Sequence, residues 1–466
     1  MSSSLMIAPV TLSTKKWPTP VTDTTLDFTT LFLQEIDQYL QRYPYTQYVD
    51  IYLHDLNGHR RGKRIDVACL KSLRTGCYFP LSVYAMSLDG QVIEDTGLGY
   101  ANGEPDYLCL PLLGTLQPSA FNPEKHAQVL LTMQDGHQGC PFEPRNILKK
   151  IVQQLHRLDF YPCIAAELEF YLEPIQKDSS HSVALTQCFD IDPPRQDQHV
   201  LDEINHIAAE QGIHITGIVA ESSSGQYEIN LQHQHAVLQL CDQLMLLKRT
   251  IKQVATKHGF QASFLAKPNL QKAGSGMHFH MSLAHLEQKN IFSSTSSDQC
   301  SETLLKVISG LIALLPASVA ILAPNVNSFR RFSQGHHVPL AATWGVNNRH
   351  VAIRIPCSDQ DNQRLEYRVA GADCNPYLAV AMILTGTLHG LTQDLEIPQA
   401  FTSPTLSKDD VLFATNQLDA LAQLKSDPVL AHYIGADFIR LWCAVKYAEH
   451  CDLFKQMTSM EQAWDL

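Results

Sequence analysis

The stretch IAAELEFY at residues 164–171 puts Ile164, Ala166, Leu168 and Phe170 on one side and Glu167, Glu169 and Tyr171 on the other. Apolar and polar residues alternating at a period of two describe a β-strand with one face in a core. Glu167 and Glu169 then share one polar face, where their repulsion costs stability unless solvent or a cation intervenes. Four further stretches repeat the pattern. Tyr227, Ile229 and Leu231 oppose Gln226, Glu228 and Asn230, while Met277, Phe279, Met281 and Leu283 oppose His278, His280 and Ser282. Val351, Ile353 and Ile355 oppose Ala352 and Arg354, and Leu365, Tyr367 and Val369 oppose Arg364, Glu366 and Arg368. If the polar faces converge, carboxylates, histidines and four arginines, Arg349 among them, line one cavity. Like charges gathered so closely repel, and a divalent cation with a phosphorylated ligand would balance them. Oxygen donors with few imidazoles suit Mg²⁺ or Mn²⁺ better than zinc.

Around these strands the chain reads as two domains. Phe28 to Tyr43 has helical spacing and stops at Pro44. Val49, Ile51 and Leu53 then alternate with polar residues, and Asn57-Gly58 supplies a tight hairpin turn. Pro141 and Pro144 precede a helix from Ile147 to Leu158, which places a boundary at 141/142. Val237 to His258 forms a second clear helix closed by Gly259, and the region from Phe401 onward is expected to be helical. The expectation is an α+β chain: a small mixed β domain over 1–141 and a larger domain alternating strands and helices over 142–466.

With 466 residues and a net charge of −12 without a long basic run, a nucleic-acid surface is excluded. The twelve cysteines form no Cys-x-x-Cys pair or regular framework, which favours a reducing, cytoplasmic setting. No secretory signal is evident, and the apolar segment Leu311 to Pro324, interrupted by Pro316 and Ser318, is expected to be too short for a bilayer. Gly274-Ser275-Gly276 lets backbone approach a ligand closely, yet neither a Rossmann nor a Walker motif is present, so nucleotide phosphates would need arginines and metal. The absence of Gly-x-Ser-x-Gly and His-Glu-x-x-His motifs weakens hydrolase and zinc-protease readings.

In order along the chain, Glu167-Leu168-Glu169-Phe170, Glu221 with Gly225-Gln226-Tyr227-Glu228, Lys267-Pro268, Gly274-Ser275-Gly276-Met277-His278 and Asn327-Ser328-Phe329-Arg330-Arg331 resemble the glutamine synthetase superfamily. So do Asn348-Arg349, Ile353-Arg354-Ile355-Pro356, Arg364-Leu365-Glu366-Tyr367-Arg368 and Asn375-Pro376-Tyr377-Leu378. The resemblance implies a β-grasp-like small domain and a catalytic domain with a curved antiparallel sheet. It implies Glu169, Glu221 and Glu228 on one metal, and Glu167, His278 and Glu366 on a second. His280, Ser282, Arg349, Arg354 and Arg364 would hold ATP, and Gly274, Arg331 and Arg368 would hold glutamate. The implied reaction is phosphorylation of the glutamate side chain by ATP, then attack of an amine on the γ-glutamyl phosphate, with Arg349 and Glu228 at the chemistry. Large homo-oligomeric rings, with the active site between neighbouring subunits, are implied by the resemblance alone.

The departures fall on the acceptor side. Six residues beyond Arg331, where ammonia-using members carry a glutamate, this chain has His337, next to His336. A histidine lacks the fixed negative charge that captures ammonium, which makes His337 a candidate catalytic residue for a different acceptor. Cys77 to Met86 stands where those members have Asp-Gly-Ser-Ser. The Asp55-Leu56-Asn57-Gly58 turn, Arg61-Gly62-Lys63-Arg64 and Trp344-Gly345 most resemble the branch that joins glutamate to polyamines such as putrescine. The alternatives are an ammonia-using glutamine synthetase and a catalytically silent scaffold or sensor of the same fold.

Overall fold

The computed structural model describes residues 27–464 apart from 137, 177–186, 287–288, 295–299, 333–337, 403–405 and 407–409. Helix α1 (Phe28–Arg42) starts where the Asp27 carboxylate accepts the Thr30 N–H at 2.8 Å, and it buries Phe32, Ile36 and Tyr39. Strands β1 (Tyr48–His54) and β2 (Arg60–Asp66) form the expected hairpin. Its turn is fixed by Asp55 Oδ1, which accepts the Asn57 and His59 N–H groups at 2.9 and 2.8 Å, and by Gly58 at φ +76°. With β3 (Cys77–Pro80), β4 (Asp106–Pro111) and β6 (His126–Asp135) these strands make a sheet in the order β2-β1-β6-β4-β3, in which β1 and β6 run parallel. The two-residue strands β5 (Gln117–Pro118) and β7 (Gln138–Gly139) pair with β6. This mixed sheet is built entirely from residues before α2 (Pro144–Arg157).

After α2 (Pro144–Arg157) the chain builds an eight-stranded sheet in the order β13-β14-β15-β12-β8-β10-β9, with β11 also on β8. Its strands are β8 (Tyr161–Pro174), β9 (Ile215–Ala220), β10 (Gln226–Leu231), β11 (Phe260–Ser263), β12 (Met277–Ala284), β13 (Trp344–Val346), β14 (Ile353–Ile355) and β15 (Leu365–Tyr367). Every pairing is antiparallel except β13 with β14. The last two polar-faced strands are shorter than their alternation suggested, so Arg364 and Arg368 flank β15 instead of lying in it.

The apolar face of the sheet is covered by helices. Between strands run α3 (Arg195–Glu210), α4 (Val237–Lys257), α5 (Glu302–Leu322) and the short α6 (Val326–Phe329). After β15 comes α7 (Pro376–Thr392); beyond it, in the region expected to be helical from Phe401 onward, lie α8 (Gln417–Ser426), α9 (Pro428–Ile434) and α10 (Ala436–Phe454), the first of them starting at Gln417. The Leu311–Pro324 expectation needs correcting. Pro316 and Ser318 lie inside the 21-residue α5, which is long and apolar enough to cross a membrane by length and composition, yet 72% of its apolar window is buried inside the protein. Ser318 Oγ satisfies itself on the Leu314 carbonyl at 2.7 Å, so neither residue interrupts the helix.

Helices α5 and α7 cross backbone to backbone at glycines. A Cβ on Gly310 would lie 2.2 Å from the Gly386 carbonyl oxygen and 2.3 Å from the Gly390 nitrogen. Gly310→Ala must push the helices apart, and we expect a loss of about 1–3 kcal/mol of stability, as in other overpacked cores, readable by chemical denaturation. α7 also lies against the sheet, where Thr387 Oγ1 approaches Met281 Sδ of β12 at 3.8 Å. The small sheet is tied to the large domain by Arg249 of α4, which pairs with Asp50 of β1 at 2.6 Å and donates to Gln128 Oε1 at 2.8 Å. Lys446 of α10 and Asn375 hold the β1–β2 turn through Asn57 and through the Asp55 and Leu56 carbonyls.

Candidate active site

Strand β8 is the axis of the site. Glu167 stands opposite His278 of β12 on one side and Asn230 of β10 on the other. Two residues along, Glu169 stands opposite Glu228. In the other direction Ala165 is opposite His280, which faces Glu366 of β15, which faces Arg354 of β14. Register alone therefore draws residues nearly 200 positions apart into neighbouring rows on one face, because alternate side chains of paired strands share a side.

The contacts follow from the rows. His280 Nε2 lies 2.8 Å and His278 Nδ1 3.3 Å from the two oxygens of Glu167. Burial pushes the Glu167 carboxyl up, but these two imidazoles outweigh it and hold the group well below the usual carboxylate range. Glu228 is the opposite case: burial, then the charges of Glu167, Glu169 and Glu221, push it up to about 9. Glu221 is raised by burial and by Glu169. Glu366, 2% exposed, receives Arg354 Nη1 at 2.7 Å and pairs with Arg368. Burial raises its carboxyl, and Arg368 with the two histidines brings it below its ordinary value.

Ligand atoms of Glu169, Glu221 and Glu228 lie within 4.8 Å of one another, as do those of Glu167, Glu228 and His278 and those of Glu167, His280 and Glu366. The first two groups fit hard divalent cations: carboxylate oxygens with a single imidazole, one carboxyl held up by burial and by the carboxylates around it. Glu366, expected with His278, is grouped with His280, since β12–β15 register sets those two opposite each other, and the charges of both imidazoles act on its carboxyl. The pH consequence has a definite sign. A carboxyl raised from 4.5 to about 9 favours the folded state at acid pH, and that contribution is lost as pH climbs between those values. Metal-free protein should therefore lose thermal stability across that window, and Mg²⁺ or Mn²⁺ should remove the loss. Calorimetric melting with and without a chelator checks this.

Beside this cluster Arg331, 5% exposed, donates from Nη1 to the Val369 carbonyl at 2.8 Å and from Nη2 to the Arg368 carbonyl at 3.2 Å. Gly274 and Gly276 give it room: a Cβ would stand 2.9 Å from Arg331 Cγ at Gly274 and 2.7 Å from Arg331 Nη2 at Gly276. The Gly276 N–H also donates to Glu169 Oε2 at 2.6 Å. Arg331 Nε and Arg354 Nε are buried without a hydrogen-bond partner among the described residues, donors left for a ligand. On the other flank His280, Ser282 and Arg364 line a cavity of about 540 Å³ that also touches Glu167 and Asn230. Arg364 Nε lies 3.3 Å from His280 Nδ1.

One expected residue is not brought in. Arg349 lies exposed in the turn before β14 and makes no hydrogen bond or ion pair among the described residues. His337 and His336 lie outside the described residues. One residue to which the sequence reading gave no role stands out. Gln226, 1% exposed, donates to Glu169 Oε2 at 3.5 Å and to the Gly274 carbonyl at 3.0 Å, and Tyr171 donates to its Oε1 at 3.3 Å. Its place on the polar face of β10, two residues before Glu228, was the available signal.

Residues 141–465 match the family model of the glutamine synthetase catalytic domain. The chain is 45% identical over 449 residues to γ-glutamylputrescine synthetase PuuA of Escherichia coli (strain K12), covering 93% of this chain and 95% of the relative. It is 29% identical over 436 residues to glutamate–isopropylamine ligase of a Pseudomonas species, covering 88% and 92%. A solved structure of a GmaS/ADP complex superposes with a TM-score of 0.80 at 26% identity, covering 92% of this chain and 98% of its own. This chain belongs to the glutamine synthetase family.

Proposed function

We propose that the chain is an ATP-dependent ligase that joins the γ-carboxyl of glutamate to a primary amine, putrescine first among them. The observation that carries the reaction type is the row register: carboxylates, imidazoles and guanidinium groups meet on one face beside a nucleotide-sized cavity. The 45% identical relative, named for putrescine, supports the acceptor.

In this reading His280, Ser282 and Arg364 receive the nucleotide, and Arg354 and the exposed Arg349 contact its phosphates. Glu169, Glu221 and Glu228 would hold one divalent ion, and Glu167 with His278, in concert with Glu366, a second. Bound there, the ions neutralise charge on the transferring phosphoryl group. Gly274, Arg331 and Arg368 orient glutamate so that a γ-carboxylate oxygen attacks the terminal phosphorus of ATP, releasing ADP and leaving γ-glutamyl phosphate. The amine nitrogen then attacks the acyl carbon, phosphate departs, and the nitrogen gives up a proton. Arg331 keeps its guanidinium on backbone carbonyls, so it is positioned before substrate arrives, which is how fixed donors lower a barrier. His337 is assigned to the acceptor side, as the residue to take the amine proton.

Incubation with ATP, Mg²⁺, glutamate and a panel including putrescine, spermidine, ethanolamine, monoamines and ammonia, read by product mass, tests the proposal. A γ-glutamyl amide of putrescine in preference to glutamine is the expected result. Ammonia outcompeting every amine, or ligand binding with no turnover for any acceptor, would refute it.

A further inference from the structure

We propose that the cleft between the β1–β2 turn and α4 is a second binding site, for a small molecule carrying two or more anionic groups. The cleft has a volume of about 680 Å³, within the range of small-molecule sites, and shares no lining residue with the cavity at His280 and Arg364. The turn residues 57–61 form one wall, Lys248 and Lys252 of α4 another, and residues 261–265 and 372–374 the rest.

Its charge is one-sided. Arg60, Arg61, Lys248 and Lys252, with the His59 imidazole beside them, face a single carboxylate, Asp373, in a chain whose net charge is −12. That carboxylate is engaged, with Oδ2 accepting Asn325 Nδ2 at 2.8 Å and Ser328 Oγ at 2.7 Å. Two of the cations are held in place. Arg61 Nε is fixed by Asp55 Oδ2 at 2.8 Å, and Lys248 Nζ by the Ala372 and Cys374 carbonyls at 2.6 and 3.1 Å. Neither Arg60 nor Lys252 forms a salt bridge among the described residues, and the one carboxylate whose charge acts on Arg60 is Asp50, which Arg64 and Arg249 already hold. Lys248 and Lys252 each place an ammonium 5.6 Å from the centre of the Phe264 ring. Burial, and then the charge of Arg60, lower the Lys252 ammonium from its ordinary value, so the cations repel as they stand. An anion with two or more charged groups relieves that repulsion, and guanidinium forks accept carboxylate and phosphate alike.

The test is isothermal titration of the full chain, free of metal, with citrate and separately with inorganic pyrophosphate, the two probes distinguishing a polycarboxylate from a phosphate ligand. Wild type, Arg60→Glu/Lys252→Glu, Arg60→Ala/Lys252→Ala and Arg364→Ala are compared. At least one probe should bind, with affinity falling about tenfold or more on charge reversal, less in the alanine pair, and unchanged in Arg364→Ala. Arg60 and Lys252 keep solvent-accessible surface at the cleft mouth although protein crowds their charged ends, so the alanine pair keeps the fold if the reversal does not. No binding of either probe, equal affinity in both double variants, or loss confined to Arg364→Ala would overturn the proposal.

Discussion

Glu366→Ala is expected to lower ligase turnover by about a thousandfold, the scale seen when a preorganised charged group at a transferring phosphoryl centre is lost. The same change should destabilise the fold by about 3–5 kcal/mol, because it removes one partner of a buried ion pair. Glu366 holds Arg354 and Arg368 at once, and it faces His280 across β12–β15. Without it two buried guanidinium groups lose the carboxylate that they share. Steady-state rates with putrescine and denaturant melts measure the two losses. Glu366→Gln separates them, since the amide keeps the shape and accepts hydrogen bonds but supplies no charge. Its stability should lie between wild type and Glu366→Ala, while its turnover stays low. Normal turnover in Glu366→Gln would remove the carboxylate from the proposed metal and phosphate machinery.

Gly276→Ala should cost about a hundredfold in kcat/KM for glutamate, the penalty of misplacing reacting groups by about an ångström. A methyl there would stand 2.7 Å from Arg331 Nη2 and 2.7 Å from His278 Nε2, joining the glutamate side to the metal side in one clash. Nothing in its backbone angles demands glycine, for its φ is not among the positive values, so the effect is one of space. The substitution should weaken Mn²⁺ binding and glutamate binding together. Arg331→Lys, which relieves the clash by shortening the neighbour, should not restore activity, because a point charge cannot serve the Val369, Ala370 and Arg368 carbonyls as the fork does.

Much of this was legible in the chain before any coordinates. A period of two is a local property, so the polar faces of β8, β10 and β12 and the turn at Asn57-Gly58 could be read directly from residue order. Pairing register is not local. Nothing in the sequence reveals that His280 stands opposite Glu366 in the ladder, since that depends on how β12 and β15 slide past each other. The extent of β14 and β15 was overread for a related reason: Val351 and Val369 are buried and continue the alternation, but the backbone around them leaves the ladder. Pro316 was read as an interruption because local propensity opposes it, whereas packing of α5 in the core overrides that preference. Gln226 carried no charge and so drew no role, although burial and three hydrogen bonds make it the brace between Glu169 and Gly274.

The central claim is that carboxylates from separate strands gather around shared divalent ions. Anomalous diffraction from crystals of the full chain soaked in Mn²⁺ bears on it most directly. The expected result is peaks at the Glu169, Glu221 and Glu228 group and at the Glu167, Glu228 and His278 group. Manganese bound only elsewhere, or these carboxylates ordered with no metal between them at saturating Mn²⁺, would contradict it.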